Sequence, residues 1–321
     1  MPRMNGTEPK IEIFKPFGEA FELMKKILFQ PFDLKKWFVI GFAAWLASLG
    51  ASAGSNFNYP SKRDEVQKVN DAISQIPHPI LVTGICVLIV LVLFLIILFA
   101  WLRARGGFMF IDCIVKNRGA IAEPWHDFRR EGNSYFLFWL VVALCFLIFA
   151  ALLSVPLILL VIKGRYYFFI HRDQLNIYVI SAIVAWAFVV ILFVLAWALI
   201  ANFMTPVMYR RRCRAYEAFG TVTKLIAANP GEILLYCLFL IVLLLATAIV
   251  ACVVTCATCC IAAIPYIGTV ILLPVFVLLR SFSLLFLRQF GPDYDVWANF
   301  MPQEFLPLLV PPPSPSVSEA G

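Results

Sequence analysis

The sequence predicts an all-α integral membrane protein with six transmembrane helices, arranged as three parallel repeats of a cytoplasmic amphipathic helix followed by a transmembrane hairpin. Composition is the first observation behind this prediction, because 62% of the residues are hydrophobic and 14% are charged, unlike soluble domains. The second observation is that the charges are clustered, which leaves long uncharged runs. The third is that amphipathic segments recur between those runs.

Five uncharged runs supply the six predicted spans. Ile80–Trp101, Phe136–Ile162 and Ile177–Ala201 each have at least the roughly 20 residues that cross a hydrocarbon core. Trp37–Ala53 is shorter, and its ridges of alanine and serine predict close packing against other helices. Ile233–Leu279 is long enough for two spans joined by a turn, and Pro274 is expected to kink the sixth span.

The distribution of Lys and Arg predicts the orientation. Segments on one side of the predicted membrane carry 20 of these residues and segments on the other side carry 6. The positive-inside rule therefore places both termini in the cytoplasm. We expect a multi-pass protein of the bacterial cytoplasmic (inner) membrane, with a cytoplasmic segment at residues 1–36, a six-helix domain at 37–290 and a cytoplasmic, proline-rich tail at 291–321.

The first repeat opens with an amphipathic helix. Its apolar residues recur at helical spacing and predict one apolar face, formed by Phe17, Ala20, Phe21, Met24 and Leu28. Pro31 is expected to end this helix, because proline cannot continue it. Asp33 is placed to cap the helix that follows.

The second and third repeats show the same design. In the second, Ile121, Trp125 and Phe128 predict a short apolar face, with a break at Gly132–Ser134. The apolar face of the third helix consists of Ala215, Ala218, Phe219, Val222, Leu225 and Ile226. Asn229-Pro230-Gly231 is expected to end that helix.

Four arginines at the head of the third amphipathic helix are the predicted lipid site. Arg210, Arg211, Arg212 and Arg214 follow directly on an uncharged run. A helix with an apolar face and a basic end is typical of the membrane interface. We therefore predict that these arginines bind the headgroups of membrane lipids, and anionic lipids in particular.

Residues for catalysis are scarce. The three histidines lie in separate loops and no catalytic motif is present, so we expect neither an enzyme nor a cofactor. Asn202 and Arg280 are the polar candidates that the sequence predicts inside the bundle. Coupled transporters usually place ionisable groups at mid-membrane, so the shortage of such residues disfavours ion-coupled transport. Asp112 is expected to form a structural ion pair with Arg103 or Arg105.

A group of four cysteines allows two interpretations. Cys252, Cys256, Cys259 and Cys260 fall on one face of a helix. They could bind a metal, but no His or carboxylate is nearby and the spacing differs from that of a zinc ribbon. The favoured alternative is a ridge of small residues for helix packing, and no metal site is predicted.

Several segments carry a resemblance to known proteins: Leu28–Trp37, Tyr216–Phe219, Ile264–Gly268, and Arg280 together with Phe286–Gly291. In the order of these segments the chain resembles bacterial six-span membrane proteins of uncharacterised function. Those proteins are related in layout to the membrane domain fused to some glycerophosphodiester phosphodiesterases. The resemblance implies a fold and a membrane location, and it transfers no catalytic residue.

Two functions are compatible with these observations. The favoured one is a non-enzymatic membrane scaffold or regulator that engages lipid headgroups or partner proteins through its basic amphipathic helices. The alternative is an uncoupled transporter or channel for a small molecule or a lipid. A continuous polar cavity would favour transport, and a solid apolar core would favour the scaffold. A protein partner or a homo-oligomer fits either function, and no nucleic-acid partner is expected.

Overall fold

The computed structural model describes residues 12–49, 77–167, 172–258, 264 and 266–298, and within these ranges the fold is all-α, as predicted. The helices in chain order are α1 (Phe14–Phe29), α2 (Leu34–Ser48), α3 (His78–Val115), α4 (Ala122–Asp127), α5 (Arg129–Tyr167), α6 (Arg172–Arg211), α7 (Ala215–Ala228), α8 (Pro230–Ala257), α9 (Ile267–Ile271) and α10 (Leu273–Arg288), followed by a 3-10 turn at Pro292–Tyr294.

Four helices are long and apolar enough to cross a membrane, namely α3, α5, α6 and α8. At about 1.5 Å per residue, the 38 residues of α3 extend roughly 57 Å, nearly twice the thickness of a hydrocarbon core. Helices α2 and α10, with 15 and 16 residues, are shorter than a typical span. The described chain is therefore a membrane-embedded protein with four candidate spans.

The buried core lies at one end of the long helices. Every residue of α3 from Val82 to Ile97 is exposed, whereas Phe108–Val115 is buried throughout. Phe203–Tyr209 of α6 and Ser281–Leu287 of α10 are buried in the same way. We call the end built from these three buried segments the basic end, because arginines of the loops adjoin it. The opposite halves of α3 and α8 present apolar side chains outward, as lipid-facing helices do.

Aromatic side chains fill the basic end. Tyr236 stacks on Phe282 and Phe286, with ring centroids 5.5 and 4.5 Å apart. Phe203 contacts the same cluster. Trp297, which the sequence places in the cytoplasmic tail, is fully buried in this core. Residues 291–298 thus pack with the bundle, and the remainder of the predicted tail lies outside the described residues.

Helix α1 packs its apolar face against α10. The buried residues are Pro16, Ala20, Leu23, Met24, Ile27 and Leu28. Phe21, which the sequence places on this face, is 43% exposed. The buried stripe is therefore rotated toward Leu23 and Ile27. The helix ends at Phe29, before Pro31, and Asp33 Oδ1 accepts a hydrogen bond from the Lys35 amide at 2.8 Å. The predicted stop and cap are both confirmed.

Helix α2 runs antiparallel to α3 at the basic end, and the two helices approach each other very closely. A Cβ added at Gly106 would lie 2.6 Å from Leu46 Cβ and 2.7 Å from the Ala47 nitrogen. A Cβ at Gly119, beyond the end of α3, would lie 3.1 Å from Lys36 Cα. The end of α2 therefore meets Gly106, and its start meets Gly119. The small-residue ridge of α2 is confirmed at Ala43 and Ala44, which are buried; Ala51 and Ser52 lie outside the described residues.

Two predicted breaks differ in the structure. Helix α5 runs through Gly132–Ser134, where the sequence predicts a break. A Cβ at Gly132 would lie 3.0 Å from Arg105 Cγ, so this glycine permits close packing and does not end a helix. Pro274, which would kink a sixth span, stands in the first turn of α10, where its missing N–H leaves no bond unmade. The predicted stop at Asn229-Pro230 is confirmed.

Replacing Gly106 tests the contact between α2 and α3. Gly106→Ala is expected to lower the free energy of unfolding by about 1–3 kcal/mol, because the new methyl group must displace the α2 backbone. Gly84→Ala is the matched control, since no heavy atom lies within 4 Å of a Cβ at that position. Thermal unfolding of both variants in one detergent measures the difference. A midpoint for Gly106→Ala at or above that of Gly84→Ala would contradict the close contact.

Candidate functional site

A fully buried carboxylate, Asp112, lies at the centre of the basic end. Lys116 Nζ lies 2.7 Å from Asp112 Oδ1, and Arg118 Nη2 lies 3.4 Å from Oδ2. The Tyr209 hydroxyl, from α6, donates to Oδ1 at 2.9 Å. The sequence correctly predicts an ion pair for Asp112 but names the wrong partners. Lys116 is one helical turn away, whereas Arg103 and Arg105 lie two or more turns away.

Arg118 also contacts the surface carboxylate Glu123. Its Nη1 and Nη2 donate to the two Glu123 oxygens at 2.7 and 2.8 Å. These hydrogen bonds lower the pKa of Glu123 and raise the pKa of Arg118. Arg118 therefore links the buried carboxylate to the first turn of α4.

Lys36 joins three segments of the chain. Its Nζ donates to the Ile27 carbonyl at 2.8 Å and to Asn117 Oδ1 at 2.7 Å. A cation at a helix C-terminus is favourable because the last carbonyl groups there are unpaired. Burial lowers the pKa of Lys36, which Asp33 partly offsets. The lysine thus holds the end of α1 against α2 and the loop after α3.

The four arginines predicted to bind lipid fall into two pairs. Arg211 forms an ion pair with Asp293 at 3.0 Å. Arg212 lies over the Phe128 ring at 3.7 Å, donates to the Asp127 carbonyl at 2.9 Å and approaches Glu131 at 3.7 Å. Both arginines therefore have partners within the protein.

Arg210 and Arg214 form the second pair. Neither makes an ion pair with any residue that the structure describes. Arg210 is partly exposed in the last turn of α6, and Arg214 is exposed at the N-cap of α7. These two cations remain available to a ligand outside the described chain.

The amphipathic helix α7 faces the protein with its apolar side. Its buried residues are Ala215, Ala218, Val222 and Leu225, as the sequence predicts, and it packs on α5 and α6. Phe219 contacts Phe138 of α5 with ring centroids 5.4 Å apart. The apolar face of α7 therefore covers the bundle and is not free to enter a bilayer.

The two polar candidates inside the bundle, Asn202 and Arg280, lie in contact. Arg280 Nη1 donates to Asn202 Oδ1 at 2.5 Å. Asn202 Nδ2 donates to the Tyr236 hydroxyl at 3.0 Å and to Ser283 Oγ at 3.1 Å. The hydroxyl groups of Tyr236 and Ser283 are 2.8 Å apart. The network therefore joins α6, α8 and α10.

Sequence reasoning did not identify Tyr236 and Ser283. Ser283 lies three residues after Arg280, so helical spacing places it on the same face. The spacing from Arg280 is the sequence feature that could have identified Ser283. Tyr236 lies within an apolar run and resembles a core residue.

The cysteines of α8 do not form a site in the described structure. Cys252 and Cys256 are exposed, since this half of α8 stands apart from the bundle. The packing ridge predicted for these cysteines is therefore not formed with a described helix. Cys259 and Cys260 lie outside the described residues. No group of potential metal ligands is found among the residues that are described.

Replacing the buried carboxylate tests its role in stability. Asp112→Asn leaves Lys116 and Arg118 without a full counter-charge, so we expect a loss of about 3–5 kcal/mol in the free energy of unfolding. Asp293→Asn is the control, because its pair with Arg211 is largely exposed and contributes about 0–1 kcal/mol. Chemical denaturation in detergent compares the two. Equal stabilities of the two variants would show that Asp112 does not hold the basic end together.

A comparison with known proteins places this arrangement in a family. No curated protein and no solved structure matches the chain. The model of a family of unknown function (DUF7544) matches residues 12–287, which include Asp112 and the network of Asn202 and Arg280. The resemblance to membrane domains of glycerophosphodiester phosphodiesterases stays a prediction. The matched residues cover most of the chain, which therefore belongs to the DUF7544 family.

Proposed function

We propose that the protein is a non-enzymatic, multi-pass membrane scaffold or regulator whose basic end contacts the headgroups of anionic lipids. The observation that carries this proposal is the pair Arg210 and Arg214, which have no ion pair among the described residues and stand where the long apolar helix α6 ends. Each basic residue near an anionic leaflet contributes about 1 kcal/mol of binding free energy.

Exposed aromatic residues support contact with a membrane surface. Phe14 and Phe21 of α1 are 80% and 43% exposed, and Phe32, in the loop before α2, is 57% exposed. A helix that carries such residues on its outer side is suited to the boundary between headgroups and acyl chains. In this proposal α1 uses its inner face for α10 and its outer face for lipid.

The packing of the basic end favours the scaffold over an uncoupled transporter or channel. A channel for polar solutes needs a polar path between helices. The basic end is filled instead by large buried aromatic side chains, including Phe203, Tyr236 and Phe282. The groove between α3 and α5 is lined by apolar residues.

The proposal includes six membrane crossings, three repeats and cytoplasmic termini in a bacterial inner membrane. It is supported by the unequal distribution of Lys and Arg, 20 against 6, and by the four long apolar helices. α2 and α10 would supply the two remaining crossings.

The lipid contact is tested by comparing two double variants. Arg210→Gln with Arg214→Gln should weaken retention of phosphatidylglycerol roughly thirtyfold, since two contributions of about 1 kcal/mol are lost. Arg211→Gln with Arg212→Gln removes the same charge from arginines that bond within the protein, and should chiefly lower the unfolding temperature. Lipid that remains after detergent exchange is quantified by mass spectrometry. Equal retention in both double variants would reject the proposed role of Arg210 and Arg214.

The topology is tested with reporter fusions. A reporter fused after Lys68 is expected to report the external side, and one fused after Arg130 the cytoplasmic side, because the loops around these residues differ in their Lys and Arg content. Alkaline phosphatase and a fluorescent protein give opposite signals on the two sides. The reverse pattern at both positions would invert the proposed orientation.

A further inference from the structure

A buried arginine of α3, Arg105, lies against two tryptophans that contact each other. The residue is 7% exposed, and its Cζ lies 4.5 Å from the ring centroid of Trp101 and 4.7 Å from that of Trp125. Its Nη2 donates to Asn133 Oδ1 at 3.0 Å, and Trp101 Nε1 donates to the same oxygen at 3.2 Å. The two rings stand at 89° to each other.

The positive charge of Arg105 has no counter-charge in the described chain. Among the described residues no carboxylate forms an ion pair with it, and its buried Nε has no hydrogen-bond partner. The charged neighbour that acts on it is another cation, Arg129. A buried charge without a counter-ion is unfavourable, so this position is suited to an anion from outside the described chain.

An apolar groove reaches the same tryptophan. It has a volume of about 260 Å³ and is lined by Phe94, Ile97, Leu98, Trp101 and Phe136. Trp101 forms one wall of the groove and also contacts Arg105. The apolar groove along α3 therefore adjoins the tryptophan that contacts the buried cation.

We propose that this groove and Arg105 together bind a phospholipid with a net negative headgroup. One acyl chain lies along Phe94–Trp101, and the phosphate lies at Arg105 with the exposed Asn133 and Arg129 at its side. The positive charge of Arg105 complements the phosphate, and the apolar lining of the groove complements the acyl chain. A soluble anion has no acyl chain and would not use the groove. This site is separate from Arg210 and Arg214, and it does not depend on their contact with lipid.

Four single variants test the site. Arg105→Gln removes the charge, and its control is Arg103→Gln, an exposed arginine on the same helix. Leu98→Trp fills the groove, and its control is Leu91→Trp, at an exposed position outside the groove. Each is titrated in detergent with phosphatidylglycerol, phosphatidylcholine or inorganic phosphate, and bound lipid is counted by native mass spectrometry. The same titration in Arg210→Gln with Arg214→Gln isolates the groove from the interfacial arginines.

We expect Arg105→Gln and Leu98→Trp each to weaken phosphatidylglycerol binding about tenfold. The first variant removes a charge-assisted contact with the phosphate, and the second fills the space that the acyl chain occupies. Both controls and the Arg210/Arg214 double variant should retain one tightly bound lipid. If Arg105→Gln does not fold, Leu98→Trp against Leu91→Trp decides the question. Undiminished binding in Leu98→Trp, equal binding of phosphatidylcholine, or competition by inorganic phosphate at the same concentration as lipid would each overturn the proposal.

Discussion

The need to satisfy one buried carboxylate organises the basic end. A carboxylate taken from water is strongly destabilising unless it is fully paired and hydrogen-bonded. Asp112 meets this requirement by drawing Lys116 and Arg118 from the end of α3 and Tyr209 from α6 to one place. The Tyr209 ring then stacks on Phe128, which brings the loop before α5 into the same core. Large buried side chains therefore surround the place where this charge is neutralised.

Hydropathy and local stop signals predicted the helices well, but they could not separate two kinds of apolar helix. Pro31, Asp33 and Pro230 act locally, and the structure confirms each. Helix α2 is apolar because Ile40 and Ala43 are buried against other helices. A helix buried in protein and one exposed to lipid have the same composition. Composition alone therefore does not distinguish a short apolar helix such as α2 from a long one such as α3 in the surroundings that each will have.

Some members of the candidate site were predictable from the sequence, but Tyr236 and Ser283 were not, and neither were the contacts. Arg210 to Arg214 form one cluster in sequence, yet the reversal at Arg212, where φ is 50°, sends them to different partners. Asn202 and Arg280 are 78 residues apart and meet because α6 and α10 cross at this point. The sequence predicts Arg105 as a possible ion-pair partner of Asp112, because nothing local indicates that Trp125 lies against it. Long-range packing, which the sequence does not display, decides each of these cases.

The continuity of α3 through the basic end has a mechanical consequence. From Leu102 to Pro79 the helix extends roughly 35 Å without a break. Because α2 packs closely against the base of this helix at Gly106 and the side chains from Val82 to Ile97 are exposed, a small rotation at the base displaces the far end of the helix most. A rotation of about 5° moves the far end by about 3 Å on this rise per residue. Any displacement of α3 is therefore largest in the half that is farthest from its contact with α2, where the apolar side chains are exposed.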